Sequence, residues 1–555
     1  MNKNIEPEYI FETSWEVCNM VGGIYTVLST RSETLYKTFG DKLIFIGPDV
    51  WKKIESPYFE SSNDLLADWR ESFYRETGLT IRIGRWKVQG NPVAVLVDFS
   101  PLFTKKDEIY GHIWCNFGVD SLHGYGDYDE SSMFGYATGL VIESYYRFHQ
   151  LTKENNVIAH FNEWMTTFGS YYIQEAVPEI ATVFTTHATS IGRSIAGNNK
   201  PLYDYLNEYN GDQMAFELNM VSKHSTEKTA AHIVDCFTTV SDITAIECTE
   251  LLEKTPHIVT PNGFDDGIVP TGKDFNSKRK AAREKLKTVT ETLLGYKLKE
   301  NTLFISTAGR YEYKNKGIDT FIESLKNLSN KPELKKEIVA FIMVPANIKG
   351  PRIDLAAKLN GDEDVQIDYW NIHTTHVLAD YQYDSVISAL RWLHFTNQQS
   401  EKIKIIFVPS YLNGNDGIFN MTYWDLLIGM DVSIFPSYYE PWGYTPLESV
   451  AFSVPTITTD LSGFGQWVKA TYKTRHGVAV VHRSDYNHVQ VAESIAAILL
   501  DYSFYKTDEA NEMRNNALDT SKKALWSEFI QYYYKAYNIA LTNRDKRLKQ
   551  QITDK

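Results

Sequence analysis

The sequence predicts an α/β protein made of two doubly wound, Rossmann-like halves. Three observations carry this. Short apolar runs alternate with longer amphipathic segments, the signature of a parallel sheet with crossover helices. The alternation restarts midway along the chain. The 555 residues exceed what one ordinary core can organise.

In the first half the buried-strand runs are "DKLIFIGP" (41–48), "PVAVLVDF" (92–99), "NVIAHF" (156–161), "ATVFTTH" (181–187) and "DCFTTVS" (235–241), with a helical pattern over 131–150 among them. In the second half they are "TLFISTAG" (302–309), "EIVAFIMVPA" (337–346), "KIKIIFVPS" (402–410), "DVSIFPS" (431–437) and "VPTITTD" (454–460). The Gly-, Pro- and Asp-rich stretch 260–275 marks the seam, which divides the chain into residues 1–266, 267–525 and a tail, 526–555, carrying a strong amphipathic helix with a basic end. The aromatic insertion 369–399 reads as helical. Sheets of this kind take ligands beyond the carboxyl ends of their strands, so two facing sheets imply a deep cleft.

Composition narrows the function. A net charge of −14 argues against nucleic acid as a partner. The four cysteines show no metal-ligand spacing, and no metal or cofactor is expected. The first 16 residues lack the pattern of a signal peptide, and no apolar run is long enough to span a membrane. A reducing, cytoplasmic setting follows.

The chemistry-bearing residues fall at predicted strand ends. "VGGI" (21–24) places Gly22 and Gly23 where backbone approaches a ligand and a helix N-terminus favours a diphosphate, though an ordinary glycine turn reads the same way. "HFNEW" (160–164) contributes His160 and Glu163, and "TTHATSIGR" (185–193) contributes His187 and Arg193. In "STAGRYEYKNKG" (306–317), Arg310 and Lys316 suit a diphosphate leaving group, with a solvated charged loop as the alternative. In "FPSYYEPWGYTPLESV" (435–450), Glu440 is held in a rigid aromatic turn ahead of a helix. Thr445 reads as that helix's N-cap, Pro446 as its first residue and Glu448 as the partner in a capping box. The amides around Tyr444 and Thr445 would face an anion.

These segments, with "WEVCNMVGGIYTVL", "FTTVSDITAIE", "VTPNG" and "TDLSGFG", come in family order between about residues 8 and 465. They resemble the glycogen synthases of the animal and fungal type, glycosyltransferase family 3, with the two-domain GT-B fold. The resemblance implies a retaining transferase that moves glucose from UDP-glucose to the non-reducing 4-hydroxyl of an α-1,4-glucan or glycogen, without a metal. It places Glu440 against the donor glucose and Glu448 on the ribose. It gives the diphosphate to Arg310 and Lys316, puts His187, Arg193 and Asn262 near the sugar, and sets Tyr423 and Tyr411 at the base. It also implies a homo-oligomer. The competing readings are an ADP-glucose-dependent or small-acceptor transferase and a catalytically silent nucleotide-sugar or glucan binder.

The chain departs from the pattern in three places. Met20 stands where the family has Lys, Asn162 replaces a His, and 508–529 carries only Arg514 and two lysines where eukaryotic members have an arginine-dense, glucose-6-phosphate-sensing helix. It therefore looks like a shorter, bacterial-type member without strong activation by that sugar phosphate. Met20→Lys restores one cation beside the donor phosphates and is expected to lower the donor KM, or to leave it unchanged if another cation fills the space. Initial-rate kinetics check this, and a raised KM would show that the position is misread.

Overall fold

The computed structural model describes residues 6–52 and 54–553. The first five residues of the stretch read as lacking a signal peptide lie outside them. The chain forms two compact units, one comprising the chain to Asp265 together with Leu525–Lys555, the other Asp266–Ala524.

The first unit holds nine strands: β1 (Tyr9–Thr13), β2 (Leu43–Pro48), β3 (Phe59–Ser61), β4 (Thr80–Trp86), β5 (Val93–Asp98), β6 (Val157–Asn162), β7 (Ala181–Thr186), β8 (Cys236–Thr239) and β9 (Ile258–Val259). They lie in the order β3-β4-β5-β2-β1-β6-β7-β8-β9. The pairs from β5 through β9 are parallel, and β3 and β4 add an antiparallel edge. Helices cover both faces of the parallel strands, which is why their sequences are continuous Val, Ile, Phe and Ala runs rather than alternating ones. The strand "TIRIGRW" was not read from the sequence, because its arginines break the apolar run.

The second unit holds β10 (Leu303–Ala308), β11 (Ile338–Met343), β12 (Ile348–Pro351), β13 (His376–Leu378), β14 (Ile403–Val408), β15 (Val432–Phe435), β16 (Thr456–Thr459) and β17 (Val478–Val481). Six of them form a parallel sheet in the order β14-β11-β10-β15-β16-β17. β12 and β13 pair separately and antiparallel. The insertion 369–399 departs from its helical reading: it holds a 3₁₀ turn, β13 and only one helix, Ser385–Trp392. Its aromatic residues sit at one per few positions, without the 3.6-residue period a long helix needs.

The last helix, Trp526–Thr553, belongs to the first unit. Its Trp526 donates its indole N–H to Thr30 (2.8 Å) and its backbone N–H to the Phe264 carbonyl (3.1 Å). Tyr533, Tyr537 and Leu541 are buried, and Arg547 pairs with buried Asp235 at 2.9 Å.

In the second unit the loop after β10 is locked to the loop after β15. Gly317 has φ 68°, and a Cβ there would lie 1.9 Å from the Pro436 carbonyl oxygen. Gly317→Ala combines left-handed strain with a backbone clash and should cost at least about 2 kcal/mol. A lowered midpoint in urea unfolding, followed by tryptophan fluorescence, checks this; an unchanged midpoint refutes the steric argument.

Candidate active site

Each parallel sheet has one place where the strand order reverses, and a crevice opens there beyond the carboxyl ends. In the second unit it lies between β10 and β15. β10 leads into the loop with Arg310 and Lys316, and β15 leads into the turn with Glu440. Lys316 Nζ donates to Glu440 Oε2 at 2.5 Å, and Ser437 Oγ donates to the same oxygen at 3.4 Å. The backbone fixes this pair: the amides of Tyr438 and Tyr439 both donate to the Asn315 carbonyl, at 2.9 and 3.1 Å, and Gly463 N–H donates to the Glu440 carbonyl at 3.2 Å. Arg310 is not drawn in. It is 62% exposed and pairs with Glu312 at 3.0 Å.

The helix after the turn spans Tyr444–Ala451 and its N-cap is Gly443, with φ 108° and no side-chain cap. This corrects the expected cap at Thr445. The chain already turns at Gly443, so Thr445 and Pro446 lie inside the first turn, where a missing proline N–H costs nothing. The capping-box reading of Glu448 falls with it. Glu448 instead sits in apolar surroundings: burial pushes its carboxyl up to about 7, against an opposing hydrogen bond with Trp424. Tyr423 begins the Tyr423–Leu427 helix, with its hydroxyl buried near Glu448. Tyr411 is 77% exposed.

In the first unit the order reverses between β1 and β6, where Glu12 and His160 are register partners. Glu12 is fully buried with Arg31, Oε1 to Nη2 at 2.6 Å. The Arg31 guanidinium lies 4.0 Å from the centre of the Tyr533 ring. Although burial alone opposes ionisation, Arg31 and His160 hold the Glu12 carboxyl down to about 2. His160 is an internal support rather than an acceptor contact: it is 1% exposed, with Nε2 2.7 Å from Thr185 Oγ1 and Nδ1 3.3 Å from Glu12 Oε2. His187 lies beyond β7, with Nε2 3.0 Å from Asn162 Oδ1. Burial and the Arg31 charge hold its ring neutral, pushing it down to about 3.

Glu163 has φ 66° and ψ 160°, a region that non-glycine residues occupy at a cost. Its Oε1 accepts the backbone N–H of His187 at 3.0 Å. Burial, then the nearby Glu227, pushes its carboxyl up to about 8, while Arg193 draws it down. Arg193 is exposed on the Ser190–Gly197 helix. Asn262 is buried in the loop after β9, with no hydrogen-bond partner for its Oδ1.

The glycine turn differs from expectation. The helix Gly23–Phe39 starts there, but Glu16 Oε2 accepts the N–H groups of Gly22 (2.7 Å) and Tyr25 (2.8 Å). A carboxylate of the chain thus occupies part of the helix end read as a diphosphate site. Met20, beside it, is 60% exposed.

The family model for glycogen synthase matches residues 12–358 and 366–554. The chain belongs to the glycogen synthase family. It is 29% identical over 600 residues to the liver glycogen [starch] synthase of Mus musculus, covering 97% of this chain and 84% of that one. It is 27% identical over 624 residues to glycogen [starch] synthase isoform 2 of Saccharomyces cerevisiae, covering 98% and 87%. Among solved structures it is similar to the catalytic domain of starch synthase IV from Arabidopsis thaliana bound to ADP and acarbose (TM-score 0.57, 12% identity, 97% of this chain and 100% of that one). It is also similar to an E. coli structure described as trehalose-6-phosphate bound with UDP-2-fluoro glucose (TM-score 0.51, 11% identity, 96% and 99%). These neighbours establish the GT-B fold.

Within this glycogen synthase family member, sequence reasoning missed Glu12, Glu16, Arg31 and Glu227. Only Glu12 leaves a trace, as an acid closing the apolar run "YIFET". Among the described residues, no group of three or more His, Cys, Asp or Glu side chains could hold a metal ion.

Glu163 carries a pH signature. Its folded value of about 8 exceeds its ordinary 4.5, so the native state keeps a proton that the unfolded chain releases. Its contribution makes stability fall as pH rises from about 4.5 to about 8. Glu163→Gln should flatten that part of the profile. Urea unfolding at several pH values checks this, and identical slopes for the two proteins would contradict it.

Proposed function

We propose that this glycogen synthase family member is a retaining glucosyltransferase that moves glucose from UDP-glucose to the non-reducing 4-hydroxyl of an α-1,4-glucan. The observation that carries the reading is the Lys316–Glu440 pair at the strand-order reversal of the second unit. Glu440 is held by a loop with no freedom to swing, and an ammonium has three donors. Lys316 can therefore keep Glu440 and still offer N–H groups to a phosphate. Arg310 joins it by leaving Glu312, an exposed pair worth at most about 1 kcal/mol.

In this reading the diphosphate leaves on the face where the acceptor enters, and its own oxygen helps remove the acceptor proton. Lys316, Arg310 and the start of the Tyr444–Ala451 helix, at Tyr444 and Thr445, take up the growing negative charge. Glu440 faces the positive charge that develops on the sugar. The open Tyr411 ring and Tyr423 stack on the base. Glu448, poised near neutrality, meets the ribose hydroxyls. His187, Arg193, Asn262 and Glu163 belong to the sugar. No step draws on a metal or cofactor. A cytoplasmic setting suits the four free cysteines, Cys18, Cys115, Cys236 and Cys248, and assembly with further copies is part of the proposal. No described helix is long and apolar enough to cross a membrane.

Weak or absent activation by glucose 6-phosphate is part of the proposal. Counting cations on one helix is insufficient, because the Gly272–Leu294 helix brings Arg279 and Arg283 to the same cavity as Arg514. Asp431 pairs with both, at 3.0 and 2.9 Å, and offsets their charge.

The test is glucose incorporation from radiolabelled UDP-glucose and ADP-glucose, with and without glycogen and glucose 6-phosphate. Glycogen-dependent incorporation from UDP-glucose is expected, reduced at least about 10²-fold in Glu440→Ala and little changed by the sugar phosphate. Incorporation from neither donor, with nucleotide binding intact, would point to another acceptor or a silent binder.

A further inference from the structure

Asn162 closes β6 and is 2% exposed. Its Nδ2 lies 2.7 Å from Glu12 Oε1 and 3.2 Å from the Thr13 carbonyl oxygen. Both partners only accept: one is a backbone carbonyl, the other a carboxylate that Arg31 keeps ionised. The amide nitrogen must therefore face them, which turns Oδ1 toward His187 Nε2 at 3.0 Å. An amide oxygen cannot donate, so the imidazole must donate to it from Nε2. A neutral imidazole has one N–H, which leaves the lone pair on Nδ1. Among the described residues, Nδ1 has no hydrogen-bond partner.

The chain of constraint starts further back. Tyr533 and Trp526 of the last helix present ring faces to Arg31, at 4.0 and 5.7 Å from its guanidinium carbon. Arg31 holds Glu12, Glu12 orients the Asn162 amide, and the amide selects the histidine tautomer. Arg31 Nη2 and Asn162 Nδ2 converge on the same oxygen, Glu12 Oε1, so turning the Asn162 amide over would set its oxygen against a carboxylate, although Glu12 Oε2 and Arg31 Nε and Nη1 have no hydrogen-bond partner among the described residues.

We propose that Asn162 is a positioning residue that fixes His187 as the Nε2–H tautomer, so that Nδ1 accepts a hydrogen bond from a hydroxyl of the sugar undergoing transfer. The second clause rests on the glucosyltransferase reading above, and the first does not. Histidine at position 162 titrates and has two tautomers of its own; asparagine offers one fixed donor and one fixed acceptor at every pH.

The test is ¹⁵N NMR of the full chain labelled at histidine, with the His187 signals identified by their loss in His187→Gln. The expected result is a pyridine-type shift for His187 Nδ1 and a pyrrole-type shift for Nε2. The opposite assignment overturns the proposal in the native protein, whatever the substrate proves to be. Asn162→Leu should weaken the tautomer preference toward the modest Nε2–H bias of an unpartnered neutral imidazole and lower kcat about tenfold, with donor KM within about twofold of wild type. Asn162→Asp can carry a proton toward Glu12 and still accept from His187, so it should keep the native ¹⁵N pattern. A pattern in Asn162→Leu like that of the native protein would show that the amide does not select the tautomer. Native shifts without any sugar-dependent change on Nδ1 would retain the tautomer and refute the contact with sugar.

Discussion

The first unit depends on one buried ion pair, Arg31 with Glu12. Burying two charges costs several kcal/mol per ion, and attraction repays that only when the remaining polar atoms are also satisfied. Here Glu12 sits on β1 at the strand-order reversal and its partners come from β6 and the Gly23–Phe39 helix, while Glu12 Oε2 and Arg31 Nε and Nη1 have no hydrogen-bond partner among the described residues. The guanidinium faces the Tyr533 ring rather than water, a contact worth about 2 kcal/mol when desolvated. The pair thus ties the last helix, distant in sequence, to the residues around His187. Burial first, and then the Arg31 charge against the opposing pull of Glu12, keep the His187 ring neutral.

The second unit solves a different problem. Its site groups lie on two long loops, and loops ordinarily move. Here the Asn315 carbonyl accepts two amides from the opposite loop, Gly317 packs directly on the Pro436 carbonyl, and Arg483 also donates to that carbonyl. Backbone contacts of this kind leave little room for side-chain substitution to disturb them. Lys316 and Glu440 inherit the rigidity. Arg310, seven residues before Gly317 and outside those contacts, does not, and its guanidinium stays with Glu312 in solvent.

Acids are unevenly distributed in character. Glu12 is held ionised by a cation, whereas Glu163 and Glu448 lie in surroundings that favour the protonated form. Glu163 pays for its position with a strained backbone, and its neighbour Glu227 adds repulsion. Strain, burial and like charge at one residue are the combination expected where function, not stability, sets the conformation.

The parallel strands were legible because a strand buried on both faces is largely apolar, and "ATVF", "IVAFIM" and "IIFV" are such runs. The antiparallel β4 was not, since it alternates with arginines, and the aromatic insertion misled because aromatic content does not by itself define a helix. Glu440, Lys316 and His187 could be named because motif spacing survives in a linear reading. Sequence alone determined the fold class and the family, and named the strand-end residues that the proposed function uses. Tertiary structure decided what those positions are. It gave the helix after Glu440 a glycine cap, placed Glu16 on the glycine-turn amides, buried His160, left Arg310 outside and joined Asn162 to Glu12. Each of these depends on which atoms meet across the sheet or between helices, and hydrogen-bond partners tens to hundreds of residues apart leave no periodic trace in the chain.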